Sequence, residues 1–204
     1  MKKAILLGVI LVLALIAGYK LFFNKETKTP EKKDESLVVG KNSSAFDVSF
    51  SKIMNDYYMI RDALVDWDTV KANQGAVLIR LDADSLQLNE LKADSSVIQT
   101  AQNYASSMSS ESIGFVGETT IEQKRRAFKM LTAHLYDLIR TVKYDGQIIY
   151  HIKCPMAFND SEEADWLSNT SKVINPYLGN KHPKYNNKML GCGELIDSLN
   201  FVKK

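Results

Sequence analysis

Apolar residues recur at threes and fours along four stretches between Phe46 and Val142, and this periodicity limits the chain more than any other feature. Such spacing puts one face of a helix in a core and the other in water. Phe46, Phe50, Ile53, Met54, Tyr57, Ile60 and Leu64 predict a first helix that ends near Val65. Asp66 or Asp68 then offers an N-cap for a second helix carrying Val70, Val77, Leu78 and Leu81, with Asp82 to Ser85 as its exit. A third helix is expected from Ser95 to Met108, followed by a loop in the Ser-rich, Gly-containing run Ser106 to Gly117. Thr119 or Thr120 can cap a fourth, on which Ile121, Phe128, Leu131, Leu135, Leu138 and Val142 share a face.

The pattern changes at Tyr144-Asp145-Gly146, a turn signal, and Gln147 to Ile152 has the β-branched content of a short strand. From Cys154 onward Pro, Gly and Asn dominate, as in a segment that packs on a scaffold and presents a site. The expected fold class is therefore mainly α: an antiparallel four-helix bundle with a short strand and an irregular C-terminal tail bearing Cys, Met and His.

Upstream of the domain, residues 1–23 hold an apolar run, Ala4 to Phe23, about as long as a bilayer requires. Lys2 and Lys3 precede it as in a Sec signal, but Tyr19 and Lys20 stand where a small-x-small cleavage site would be, which favours an uncleaved membrane anchor. Lys20, Lys25, Lys28, Lys32 and Lys33 follow the run and by the positive-inside count would hold the C-terminus in the cytoplasm, whereas the Lys pair at the start favours export. Residues 24–44, rich in Lys, Glu, Thr and Ser, read as a flexible linker, leaving 45–204 as one domain. The first 45 residues hold eight Lys against four acidic residues, so the net charge of +2 leaves the domain near −2. A domain of that charge lacks the basic footprint of a nucleic-acid binder.

No P-loop, GxSxG elbow, HExxH, dinucleotide fingerprint or CxxCH motif is present, and the chain is read as a non-enzyme. Its chemistry lies in His151-Ile152-Lys153-Cys154-Pro155-Met156 and in Met189-Leu190-Gly191-Cys192. Thiolate and thioether are soft ligands that select copper(I), so Cys154, Met156, Met189, Cys192 and His151 form a candidate metal set. Structural zinc is the lesser choice, needing two further ligands that only His151 and His182 could supply. A Cys154–Cys192 disulfide in an exported protein is the alternative, and each Met taken alone fits a packing role. His134, beside the apolar stripe of the fourth helix, reads as a partly buried, satisfied histidine, and His182 as an exposed one.

Four blocks of this tail, Cys154 to Ala157 (CPMA), Trp166 to Ser168 (WLS), Asn175 to Gly179 (NPYLG) and Met189 to Gly193 (MLGCG), resemble an uncharacterised bacterial family of domains of unknown function. Members of that family occur alone or attached to CusB-type periplasmic adaptors of heavy-metal efflux systems. The likeness continues more weakly in Ala63-Leu64-Val65 and in Arg125 to Leu131 (RRAFKML), with Lys181 to Asn186 as an insertion that leaves His182 without a counterpart. It implies an extracytoplasmic domain for copper or related metals, with Cys154, Met156, Met189 and Cys192 as ligands and an efflux adaptor or metallochaperone as partner. Trp166 and Tyr177 are read as aromatic anchors of the tail.

Overall fold

A computed structural model describes residues 42–202. The apolar run and nearly all of the spacer lie outside the described residues; among these, no helix is long and apolar enough to cross a membrane. The described part is mainly helical, with four α-helices followed by a small three-stranded antiparallel sheet.

Helix α1, Ser44–Asp66, is capped by the Ser43 hydroxyl, which accepts from the Phe46 N–H. All seven stripe residues from Phe46 to Leu64 are buried. Just before it, Asn42 is buried and donates to the Lys143 carbonyl and the Asp145 carboxylate, tying the entry of the domain to the turn before the sheet. Trp67 ends α1 in the left-handed region at φ 62°, and the Asp68 carboxylate caps α2, Thr69–Asp84, through the Lys71 N–H.

Helix α2 reverses the expected face. Val70, Val77, Leu78 and Leu81 are exposed, and Ala72, Gly75, Ala76, Ile79 and Ala83 are buried instead. The cause is the closeness of α1: a Cβ on Gly75 would stand 2.8 Å from Ile60 Cγ1 and 3.1 Å from the Asp56 carbonyl. At that separation small residues pack against the neighbour, and larger apolar residues are turned outward.

The third helix, α3, runs Ser95–Gly117, through the Ser-rich stretch expected to be a loop. Ala101, Ala105, Met108, Ser109, Ser112 and Phe115 continue one buried face to its end. Serine here behaves as a small interface residue, and tertiary packing overrides its weak helix preference. A reciprocal box between Thr120 and Gln123 opens α4, Ile121–Val142, whose expected apolar stripe from Phe128 to Val142 is buried. Lys124 and Arg125 are buried beside it. The Lys124 ammonium donates to Asn73 Oδ1 (2.7 Å) and the Phe115 carbonyl (2.8 Å), binding α4 to the start of α2 and the end of α3.

The region expected to hold one short strand and an irregular tail contains three strands, β1 Ile149–Phe158, β2 Glu162–Ser168 and β3 Glu194–Leu199, in the order β2-β1-β3. Helix-rich context and the Pro155 in β1 hid this. The register slips between Cys154 and Phe158, and Pro155 sits within that irregular stretch, where it breaks no regular ladder. The outer edge of β2 is not left open: the Tyr57 hydroxyl accepts from the Leu167 N–H (3.0 Å) and the Tyr177 hydroxyl donates to the Asp165 carbonyl (2.5 Å). Two phenols thus take the place of a fourth strand.

Candidate functional site

Cys154 occupies the middle strand opposite Ala164 and is fully buried. Cys192 arrives from the turn at Met189, to whose carbonyl its N–H donates (3.0 Å), and the two Sγ atoms stand 2.8 Å apart. Asn175 sets that approach. Its amide donates to the Cys192 carbonyl (2.7 Å), its N–H to the Leu190 carbonyl (2.8 Å), and its Oδ1 accepts from the N–H groups of Tyr177 and Leu178. Gly193, at φ 147°, completes it, since a Cβ there would lie 2.7 Å from the Trp166 ring and 3.1 Å from the Lys153 carbonyl. Burial, followed by the hydrogen bond with Cys154, pushes the Cys192 thiol up to about 12, so at neutral pH that thiol is held protonated.

His151 belongs to a different face of the sheet. It is three residues from Cys154 along β1, where side chains alternate, and its Nε2 is engaged by the Asp165 carboxylate under the Tyr136 ring at 4.4 Å. Met156, Met189 and Cys192 are half-buried against the edge of the core. Among the described residues no group of three or more His, Cys, Asp and Glu side chains is arranged to hold a metal ion. His134 is half-buried on α4, near Glu111. His182 is half-buried too, not exposed: its ring stacks on Tyr185 at 5.0 Å and its Nδ1 accepts from the N–H groups of Lys184 and Tyr185.

A residue that the reading of the sequence did not single out joins the helices to the tail. Arg125, 4% exposed, donates through Nε to the Pro176 carbonyl (2.9 Å) and through Nη2 to the Leu64 carbonyl (3.1 Å), while its guanidinium lies 4.3 Å from the Trp67 ring centre. Gly179, at φ 62°, passes so close that a Cβ would meet Trp67, the Val65 carbonyl and Arg125 at 2.6 to 2.9 Å. The Asn180 N–H then donates to the Val65 carbonyl (2.9 Å). The sequence signal for this clamp was the joint appearance of the Ala63 to Val65, Arg125 to Leu131 and Asn175 to Gly179 blocks, which meet here in space.

Comparison with known proteins adds one match. Residues 53–146 match the model of a family described as Protein of unknown function (DUF3347). No curated protein and no solved structure matches the chain. The DUF3347 match spans most of α1 and all of α2, α3 and α4, and it stops at the turn before the sheet. It therefore contains one side of each joint, Tyr57, Leu64 and Arg125, whereas Leu167, Pro176 and both cysteines lie beyond it.

Proposed function

We propose that the chain is an extracytoplasmic, membrane-tethered interaction domain in which a Cys154–Cys192 bond locks the tail onto the sheet. The observation that carries this is the sulfur separation of 2.8 Å. Reaching a disulfide bond length of about 2.05 Å takes a closure of less than about 1 Å. Two metal bonds of about 2.3 Å set in line would instead require the sulfurs to part to more than about 4 Å. Oxidation joins the sulfurs while two electrons and two protons pass to a disulfide oxidant of an oxidising compartment, which leaves as the dithiol. The exposed apolar face of α2, from Val70 to Leu81, supplies the kind of surface by which an antiparallel helical bundle meets a partner protein.

A soft-metal role in copper(I) binding or delivery, linked to heavy-metal efflux, is the second reading. It is favoured by the turn that binds Cys192 to Met189, which places a thiol and a thioether on one short segment facing Cys154. The donors are of the right softness, with Cys154, Cys192, Met156 and Met189 as the residues that would hold the ion, and the tail must open for them to do so. His151 is left out of this set because Asp165 engages it.

Intact-mass measurement of freshly exported full-length chain, alkylated with and without reductant, separates the readings. The disulfide reading expects no alkylation until reductant is added. Two thiols alkylated at once, together with copper(I) binding under anaerobic titration that a Cys154→Ser, Cys192→Ser variant loses, would overturn it in favour of the metal.

A further inference from the structure

A cavity of about 400 Å³ lies between the first turn of α4, the end of β1 and the His182 to Lys184 segment, with Arg125 in its wall. The sulfur pair is not part of it. Arg125 has spent Nε and Nη2 on carbonyl oxygens, which leaves Nη1 without a hydrogen bond among the described residues. None of the described carboxylates forms an ion pair with it. The two acids in the lining are already engaged: Glu122 accepts from Arg126, and Asp160 is held by the Lys184 ammonium and the Tyr185 hydroxyl. Glu122 acts on Arg125 only at a distance, its carboxylate being paired with Arg126, so a positive charge that is nine-tenths buried stands at the cavity wall with no carboxylate in contact among the described residues.

Four rings, those of Trp67, Phe158, Tyr177 and His182, share the rest of the lining with Ile121, Ala157, Asn159 and Pro183 and with Lys184, whose ammonium is held by Asp160. Because His182 Nδ1 accepts two backbone N–H groups, the neutral ring carries its proton on Nε2, a second donor in the lining. Burial and the nearby Arg125 charge lower the His182 pKa, which keeps it neutral at pH 7. A buried cation without a partner is costly, and an anion that enters recovers that cost as a charge-assisted hydrogen bond. With one uncompensated charge, one free guanidinium edge and flat apolar walls, the site suits a single carboxylate better than a phosphate.

We propose that this cavity binds a small monocarboxylate carried on a flat apolar body, with the carboxylate on Arg125 Nη1 and the body against the aromatic lining. A volume of this size matches a one- or two-ring ligand.

Calorimetric titration of the full-length chain with benzoate, benzyl alcohol and inorganic phosphate tests it. Benzoate is expected to saturate at one site, and the alcohol to bind at least about ten-fold more weakly, since a charge-assisted bond is lost. Phosphate is expected to show no saturable binding. Arg125→Gln removes the charge; because that variant also weakens the clamp, Ile121→Trp is the companion, filling the cavity from its half-buried rim while leaving the Arg125 bonds in place. Loss of benzoate binding in Ile121→Trp at an unchanged melting temperature supports the site. Equal binding of benzoate and benzyl alcohol, absence of saturation, or wild-type binding by Ile121→Trp would each overturn it, and tighter binding of phosphate would replace it with a plain anion site.

Discussion

Between Ser44 and Val142 the helices are joined mainly by apolar side chains against one another, whereas from Ile149 to Leu199 the chain is held by polar groups that reach its backbone. Phe46, Phe50, Phe128 and Leu135 are fully buried and fit wherever a helix offers its stripe. Tyr57, Arg125 and Tyr177 each bond one particular carbonyl or N–H of the later region, and Asn175 bonds four. Burial is roughly proportional to area and indifferent to direction, while a hydrogen bond fails when its geometry is lost. The helical region should therefore absorb change gradually, and the sheet and tail should lose their arrangement at single residues.

The largest expected effect belongs to the disulfide proposed above, and is its reduction. Opening the link between residues 38 apart removes about 4 kcal/mol in the chain-entropy model, read as a lower denaturant midpoint with reductant. Hydrogen exchange should show the loss first in the segment from Asn175 to Leu199, with the α1 and α4 amides still protected; equal loss in both regions would remove the distinction drawn here. Asn175→Ala comes next, at about 3 kcal/mol, because it leaves the Cys192 carbonyl and the Tyr177 and Leu178 N–H groups without their partner. That variant should also let iodoacetamide reach Cys154 faster once the protein is reduced.

Within the helical region, Gly75→Ala should cost about 2 kcal/mol through overpacking against Ile60, with the tail unaffected in hydrogen exchange. The smallest effect depends on pH. Burial, and then the hydrogen bond with Asp82, pushes Asp56 up to about 7, so the folded state keeps a proton that the unfolded chain releases near 4. This contribution is complete below the unfolded value and is lost as pH rises through about 7. The ideal linkage value for such a shift, about 4 kcal/mol, is reduced by solvent screening at this partly open site. Asp56→Asn should accordingly stabilise the domain by about 1.5 kcal/mol at pH 8 and change little at pH 4. A variant whose gain is the same at both pH values would show that Asp56 does not hold that proton.

The first and fourth helices were legible because their stripes are long and made of large residues. Asp68 and Thr120 were legible as caps because a side-chain oxygen just before a helix has a local task. The buried face of α2 was misread because its periodicity contains two candidate stripes, one of Val and Leu and one of Ala and Gly, and their choice depends on how near Ile60 comes. Strand β2 follows its partner β1 after a three-residue turn and was missed because Glu162, Glu163 and Asp165 make it polar, whereas β3 was missed because its partner lies tens of residues back along the chain. Of the candidate ligands, Cys154 and Cys192 do meet, but His151 is separated from them by the alternation of a strand that the local sequence did not reveal to its full length.

Residue identity and local spacing were enough to establish that the chain is mainly helical, where its first and last helices run, and that its two cysteines fall in two short Cys-Met segments. These are properties of neighbours within a turn or two, for which 3.6-residue periodicity and capping hold regardless of context. The sulfur contact, the phenols that close the β2 edge and the Arg125 clamp each join residues tens of positions apart. No local rule encodes such pairs. They exist because the packed helices present Tyr57 and Arg125 at fixed positions, and the tail, turning at Asn175 and Gly179, meets them there.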